Sequence, residues 1–249
     1  MLIELRIIIG FSKNDEHNKK FIYSDAYMMD EVGIAVKNIR NGKKLLDSQL
    51  AISYDSSSGF RDAFFKIMGN VPSKSKEIST ILKSIIIDTQ LGSMLAIASD
   101  THLYLLEFAD RRGLENEIIK LRKKYSAAVI PGSNKVLKQI TKELNDYFTG
   151  KLQKFSTPLM FFGSDFQQNA WRELQKIPYG ETRSYLEQAK KIGNGKAFRA
   201  VANANGKNQL AIVIPCHRII NTNGALGGYG GGIERKRWLI EHEKSARHM

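Results

Sequence analysis

The chain has 249 residues, of which 42% are apolar, so it is long enough for roughly two or three compact units with hydrophobic cores. Its formal net charge of +13 favours a polyanionic partner, but charge alone does not choose between DNA, RNA and an anionic membrane. The single cysteine excludes a disulfide within the chain and a cysteine-rich zinc site. The five histidines lack zinc-binding spacing, so we expect no metal, and no motif points to a cofactor.

The sequence predicts neither a secretory signal nor a membrane span. The N-terminal run MLIELRIIIGF lacks a basic leader and a small-residue cleavage site. No stretch of about 18 consecutive apolar residues occurs anywhere in the chain. We therefore expect a cytoplasmic protein without a membrane partner.

Residues 1–78 are predicted to be mostly helical. The stretch 31–46 carries apolar residues at helical spacing. A serine run can cap a second helix over 60–68, and Gly69 ends that helix.

Residues 79–162 are predicted to form an α+β unit. The three strand-like runs KSIIIDT, SMLAIAS and HLYLLEF are separated by short turns, which predicts an antiparallel sheet. Amphipathic helices are predicted over 114–125 and 134–148, and Gly150 ends the second. The segment 155–162 is predicted to link this unit to the next.

Residues 163–249 are predicted to form a mainly helical unit. They hold 14 lysines and arginines against 7 acidic residues, which is more than their share of the positive charge. Helical patterns over 166–177 and 184–192 precede a third, KAFRAVANANGKN, whose alanines make a thin helix. This arrangement suits a helix-turn-helix that docks on DNA. Plain helix–helix packing through the alanines is the open alternative.

The single cysteine, Cys216, lies in the run AIVIPCHRII, directly before His217. A thiol attacks as its thiolate, which a nearby imidazole, Arg218 or a helix N-terminus can stabilise. Either Glu241 or Glu243, on a late helical stretch, can orient the histidine as the third member of a triad. From these residues alone an inert buried thiol is the favoured interpretation, and among reactive roles a cysteine hydrolase is an equal rival.

Four segments give a close resemblance to a known family. The runs IPYGETRSY, FRAVANA, NQLAIVIPCHRII and GALGGYGGG resemble the O6-alkylguanine-DNA alkyltransferases over roughly residues 84–244, most closely the Ada-like branch. The resemblance implies an α+β fold with a small antiparallel-sheet, ribonuclease H-like domain and a helix-turn-helix catalytic domain. It also implies irreversible, single-turnover transfer of an alkyl group from O6 of guanine, and from O4 of thymine, to a cysteine.

The resemblance assigns catalytic roles by position. Cys216 would accept the alkyl group, and His217 would act as its base through a water. Glu243 would hold the histidine. Asn208 would brace the active-site turn, and Tyr185 would donate to the guanine ring.

For DNA, the resemblance implies minor-groove binding to a duplex and a flipped-out base. Arg199 would fill the vacated stack, and Ala200 and Ala202 would permit close approach. Lys196 and Arg218 are further predicted DNA contacts. The predicted guanine pocket is lined by Tyr229, Gly230, Trp171 and Ile219. We expect a monomer, associated with the nucleoid if the cell is prokaryotic.

Three positions depart from the family pattern. Gln209 stands where many relatives have proline, and Ala202 where many have glycine. Ala211 replaces a proline found in some pockets, so no preference for bulky adducts carries over.

The first 78 residues carry a separate resemblance. The run RNGKKLLDSQLAISYDSSSGFRDAFFKIMGNVP resembles the second helix-turn-helix of AraC-type activators, with Arg61 and Lys66 as candidate DNA contacts. Too few residues precede this unit for the usual first helix-turn-helix, so it is predicted to be truncated. A transcriptional regulator that uses its alkyltransferase part as a sensor is therefore the second functional hypothesis.

Overall fold

The structure is a computed structural model that describes residues 80–246. The predicted N-terminal helix-turn-helix and its contacts Arg61 and Lys66 lie outside the described residues. The described residues divide into two compact units. One contains 80–85, 97–100 and 113–134, and the other contains 86–96, 101–112 and 135–246.

Four strands form one sheet in the hydrogen-bonded order β3-β2-β1-β4. They are β1 (Thr80–Ile87), β2 (Met94–Ala98), β3 (Leu103–Phe108) and β4 (Ala127–Pro131), with helix α1 (Leu114–Lys124) between the last two. The short connections from β1 to β2 and from β2 to β3 allow only antiparallel pairing. β4 instead pairs in parallel with β1, placing Thr80 opposite Ala127.

The predicted α+β class is confirmed, but the sheet is mixed because β4 runs parallel to its neighbour. The sequence analysis did not predict β4. Its residues AAVIP are buried without alternation, and such a short apolar run has no periodicity that separates a strand from a buried loop or helix.

The second unit is mainly helical, and helices predominate in its residues 163–246, as predicted for that region. Its helices are α2 (Lys135–Phe148), α3 (Asp165–Leu174), α4 (Tyr185–Lys191), α5 (Phe198–Gly206) and α6 (Ile233–Ala246). A parallel ladder joins β5 (Arg183–Ser184) to β6 (Ile219–Ile220). No helix within residues 80–246 is both long and apolar enough to cross a membrane.

Buried polar side chains hold α3, α4 and α5 together. Gln188 on α4 exchanges side-chain hydrogen bonds with Asn205 on α5, at 2.7 and 3.2 Å, and donates to the Ala170 carbonyl of α3. Trp171 Nε1 on α3 donates to the Ala204 carbonyl of α5 at 2.9 Å. Because each of these groups is buried, losing a partner would leave an unsatisfied polar atom, which fixes the helices against one another.

Two backbone hydrogen bonds anchor the segment that leads from α5 to Cys216. The Leu106 amide on β3 donates to the Gln209 carbonyl, and the Ala211 amide donates to the Leu106 carbonyl, both at 2.8 Å. Gln209 thus contributes a carbonyl, which proline would also supply, whereas proline at Ala211 would lose the second bond. Ile212 follows at φ +70° and is 1% exposed. A branched residue in this region is strained by about 1–3 kcal/mol, so surrounding packing must hold the segment in place.

Candidate active site

Cys216 begins a single 3₁₀ turn, Cys216–Arg218. The side chain of Asn208 contacts this turn and the residues before it. Asn208 Nδ2 donates to the Ile214 carbonyl at 2.9 Å and lies 3.2 Å from the Cys216 Sγ. Asn208 Oδ1 accepts from the Leu210 amide at 3.0 Å. One amide side chain therefore connects the thiol with the backbone on both sides of the strained segment.

His217 is fully buried, and its two ring nitrogens have different environments. Nε2 lies 2.8 Å from Oε1 of Glu243, and because an ionised carboxylate only accepts, Nε2 carries the hydrogen. Nδ1 is buried and has no hydrogen-bond partner within residues 80–246. Burial lowers the pKa of His217 although Glu243 opposes the shift. The ring is therefore neutral near pH 7, and Nδ1 can accept a proton.

Glu243 is 1% exposed, and its carboxylate accepts five hydrogen bonds. The donors are His217 Nε2, Arg218 Nε and Nη2, the Tyr147 hydroxyl and the Gly180 amide, at 2.7 to 3.2 Å. Burial by itself would raise the pKa of Glu243, but the charges and hydrogen bonds of His217 and Arg218 hold it well below its usual value. The choice left open between Glu241 and Glu243 is thereby decided, since Glu241 is exposed.

Arg218 does not have the role predicted for it. Its guanidinium pairs with Glu243, its Nη1 donates to the Ile177 carbonyl at 2.6 Å, and it lies over the Tyr179 ring. The residue is only 7% exposed. The prediction of a DNA contact is therefore wrong, because the guanidinium is buried and bound within the protein.

Cys216 is half-buried, and its surroundings disfavour the ionised form of the thiol. Burial raises the pKa of Cys216 to about 11, against the effect of the Asn208 hydrogen bond. Glu107 raises the pKa further, whereas the positive charges of Lys236 and Arg111 lower it. The cations that favour the thiolate thus come from α6 and from the segment after β3, and neither was expected from the sequence.

Lys236 is a site residue that the sequence analysis missed. It is 0% exposed, and its Nζ donates to the carbonyls of Gly227 and Gly228 at 3.2 and 3.4 Å. Burial lowers the pKa of Lys236 to about 8. One signal was available: Lys236 precedes Glu243 by seven residues, which places both on the same face of α6.

Tyr185, the first residue of α4, faces the glycine-rich loop. Its hydroxyl lies 3.5 Å from the Gly228 carbonyl, and burial, followed by the proximity of Cys216, raises its pKa. A Cβ at Gly227 would approach the Tyr185 hydroxyl to 2.7 Å, so the loop requires glycine there. The ring of Tyr229, in the same loop, lies edge-on to His217 at 6.5 Å. Its hydroxyl is buried and has no hydrogen-bond partner within the described part of the chain.

Two of the residues predicted to line the guanine pocket are core residues instead. Trp171 is 2% exposed and packs α3 against α5, and Ile219 is fully buried in β6. The other two, Tyr229 and Gly230, lie in the loop that faces Tyr185 and Cys216. A bulky apolar side chain close to a motif in sequence is therefore a poor guide to pocket lining.

The predicted DNA contacts at the start of α5 lie on the surface. Lys196, Arg199 and Ala200 are exposed, and Ala202 is half-buried. The Arg199 guanidinium lies 5.7 Å from the centre of the Phe198 ring. This face presents positive charge beside small side chains. Within residues 80–246, no group of three His, Cys, Asp or Glu side chains could hold a metal ion.

Two family models match the chain side by side. The ribonuclease-like domain of 6-O-methylguanine DNA methyltransferase matches residues 82–161, and the DNA binding domain of the same family matches residues 165–245. The methylated-DNA–protein-cysteine methyltransferase of Methanosarcina mazei is 41% identical over 145 residues, which span 57% of this chain and 90% of that protein. The methyltransferase of Mycobacterium tuberculosis is 57% identical over 103 residues, which span 41% of this chain and 62% of that protein.

Solved structures agree with these matches. The crystal structure of Mycobacterium tuberculosis OGT in complex with DNA has a TM-score of 0.57 and 40% identity, covering 67% of this chain and 94% of that one. The structure of the Mycobacterium tuberculosis O6-methylguanine methyltransferase gives a TM-score of 0.56 at 40% identity. The chain belongs to the 6-O-methylguanine DNA methyltransferase family.

Proposed function

We propose that this protein repairs alkylated DNA directly, by moving the alkyl group from O6 of guanine to the Sγ of Cys216, once per molecule. O4-alkylthymine is the proposed second substrate. The observation that carries the proposal is the thiol held by Asn208 next to the buried His217–Glu243 pair. The names of the relatives, methylated-DNA–protein-cysteine methyltransferases, specify the same kind of acceptor.

The first step is deprotonation of the thiol. A pKa of about 11 leaves almost no thiolate at pH 7, so a base must take the proton as the reaction proceeds. His217 Nδ1 is that base, reached through a bridging water. The ionised Glu243 stabilises the imidazolium that forms, because its Oε1 accepts the Nε2–H.

The second step is displacement at the alkyl carbon. The thiolate forms a C–S bond as the C–O6 bond breaks, and guanine leaves with the bonding electron pair. Tyr185, which its raised pKa keeps protonated, donates a proton to the departing ring, and the proton that His217 took from the thiol is returned to the tyrosine, so the protons balance. Tyr229 and the backbone at Gly230 line the pocket that holds the guanine. The thioether product is a poor leaving group, so the reaction ends after one turnover.

DNA is the proposed partner, and the start of α5 is the proposed docking surface. O6 is hidden within the duplex, so the damaged base must be flipped out at a cost of a few kcal/mol. Arg199 offsets part of this cost by occupying the stack, and Ala200 and Ala202 let the helix approach the minor-groove backbone. Lys196 adds a phosphate contact. The mycobacterial structure with bound DNA supports this partner. A chromosomal substrate is the basis on which we propose association with the nucleoid.

Intact mass spectrometry tests the proposal. The protein is mixed with a duplex that contains one O6-methylguanine, and we expect a mass gain of one methylene, located on Cys216, that stops at one equivalent. The matched control is Cys216→Ala, which should bind the damaged duplex without gaining mass. Catalytic turnover, as a cysteine hydrolase would show, or alkylation of another residue would contradict the proposal.

A further inference from the structure

Arg111, which follows β3, contacts two parts of the candidate site. Its Nη2 donates to the Gly206 carbonyl at 2.8 Å, and its Nη1 donates to the Asn208 carbonyl at 3.2 Å. Gly206 is the last residue of α5, and Asn208 is the residue that holds Cys216. A single guanidinium therefore links the end of the proposed DNA-docking helix to the brace of the reactive thiol.

The same guanidinium is fixed from two further directions. Nη1 donates to Oε2 of Glu107 at 2.6 Å, and both side chains are nearly buried, at 8% and 3% exposed. A Cβ at Gly230 would approach Arg111 Nε to 2.9 Å, so the glycine-rich loop passes directly over the group. A planar fork with several donors can satisfy these partners at once, whereas a lysine ammonium is a compact point donor.

We propose that Arg111 is a positioning residue that couples DNA docking on α5 to the placement of Cys216. This inference rests on the proposed function. A substrate in duplex DNA is presented through α5, so its alkyl carbon reaches the thiol correctly only if α5 and the Cys216 turn keep their relative position. A free alkylated base enters the pocket without α5 and does not need the link.

The test compares two substrates in the full-length Arg111→Lys protein. Initial rates of Cys216 methylation are measured with an O6-methylguanine duplex and with free O6-methylguanine base. We expect the DNA reaction to slow by roughly 10- to 100-fold, as for a small misplacement of reacting groups, while the free-base reaction is little changed. Because lysine retains the positive charge near the thiol, the pH profile of the free-base reaction should also be unchanged. Arg112→Lys, an exposed neighbour, is the matched control.

Arg111→Gln provides a second variant, in case Arg111→Lys does not fold. Its shorter amide cannot reach the carbonyls of both Gly206 and Asn208. The lost charge acts on the thiol with either substrate, so the ratio of the two rates isolates the selective loss with DNA. Equal loss with both substrates, or no loss with either, in a folded variant would overturn the inference. Failure of the unsubstituted protein to take up a methyl group from either substrate would overturn the proposed function and this inference with it.

Discussion

The buried network around Glu243 and the exposed start of α5 serve the same proposed reaction. They differ in how many contacts within the protein hold their side chains in place when no DNA is bound. Glu243 accepts five hydrogen bonds and is 1% exposed. By contrast, Lys196 and Arg199 extend from the surface, and the contact found for Arg199 is with the neighbouring Phe198 ring.

Substitutions in the two regions should therefore affect different properties of the protein. A change in the buried network disturbs folding and chemistry together, whatever the substrate, since its partners become unsatisfied. A change on the α5 surface leaves the fold intact and affects only reactions in which DNA must dock.

The largest expected effect comes from Glu243→Gln. Removing the charge leaves the buried Arg218 guanidinium without its counter-ion, which typically costs about 3–5 kcal/mol. The free energy of unfolding, measured by urea denaturation, should fall by that order. Methyl transfer should slow with both DNA and free base, because the imidazolium of His217 loses its stabilising carboxylate.

Glu241→Gln is the matched control for this prediction. Glu241 lies on the same helix and is exposed, so its substitution should change stability by no more than about 0.5 kcal/mol. Similar effects of the two substitutions would show that the buried network is not the rigid part of the site.

The sequence predicts the contacts that lie close together in the chain or belong to a specific motif. Asn208, Cys216 and His217 fall within ten residues, and the helical pattern that carries Glu243 was evident. The sequence does not predict which partners the charged side chains of distant segments pair with. Arg218 follows the motif directly, yet it is buried because of the Ile177 carbonyl and Glu243.

Long-range contacts account for the other residues that were missed. Arg111 meets Gly206 and Asn208 across more than 90 residues of sequence. No periodicity or local spacing encodes such a contact. Lys236 is a different case. Its spacing of seven residues from Glu243 predicts that both lie on the same face of α6.

An intermediate effect is expected from Arg199→Ala. Without the Arg199 side chain in the vacated stack, the free-energy cost of flipping the base is no longer offset and rises by a few kcal/mol. Methyl transfer from duplex DNA should therefore slow on the order of 100-fold. The rate with free O6-methylguanine and the melting temperature should stay unchanged. Arg237→Ala, which removes an exposed arginine from α6, is the control. Loss of the free-base reaction in Arg199→Ala would contradict the separation of the two regions.

The smallest expected effect comes from Lys196→Ala and appears only when salt is varied. A lysine that contacts one phosphate releases about one counter-ion, so the slope of log K against log salt should become shallower by about 0.9. Binding of the Cys216→Ala protein to undamaged duplex, measured by fluorescence anisotropy at several salt concentrations, gives this slope without interference from alkylation. Lys142→Ala on α2, where the side chain is 78% exposed, should leave the slope unchanged. If both lysines changed the slope equally, the positive charge would act as a diffuse field rather than through contacts at the start of α5, because a located phosphate contact must depend on position as well as on charge.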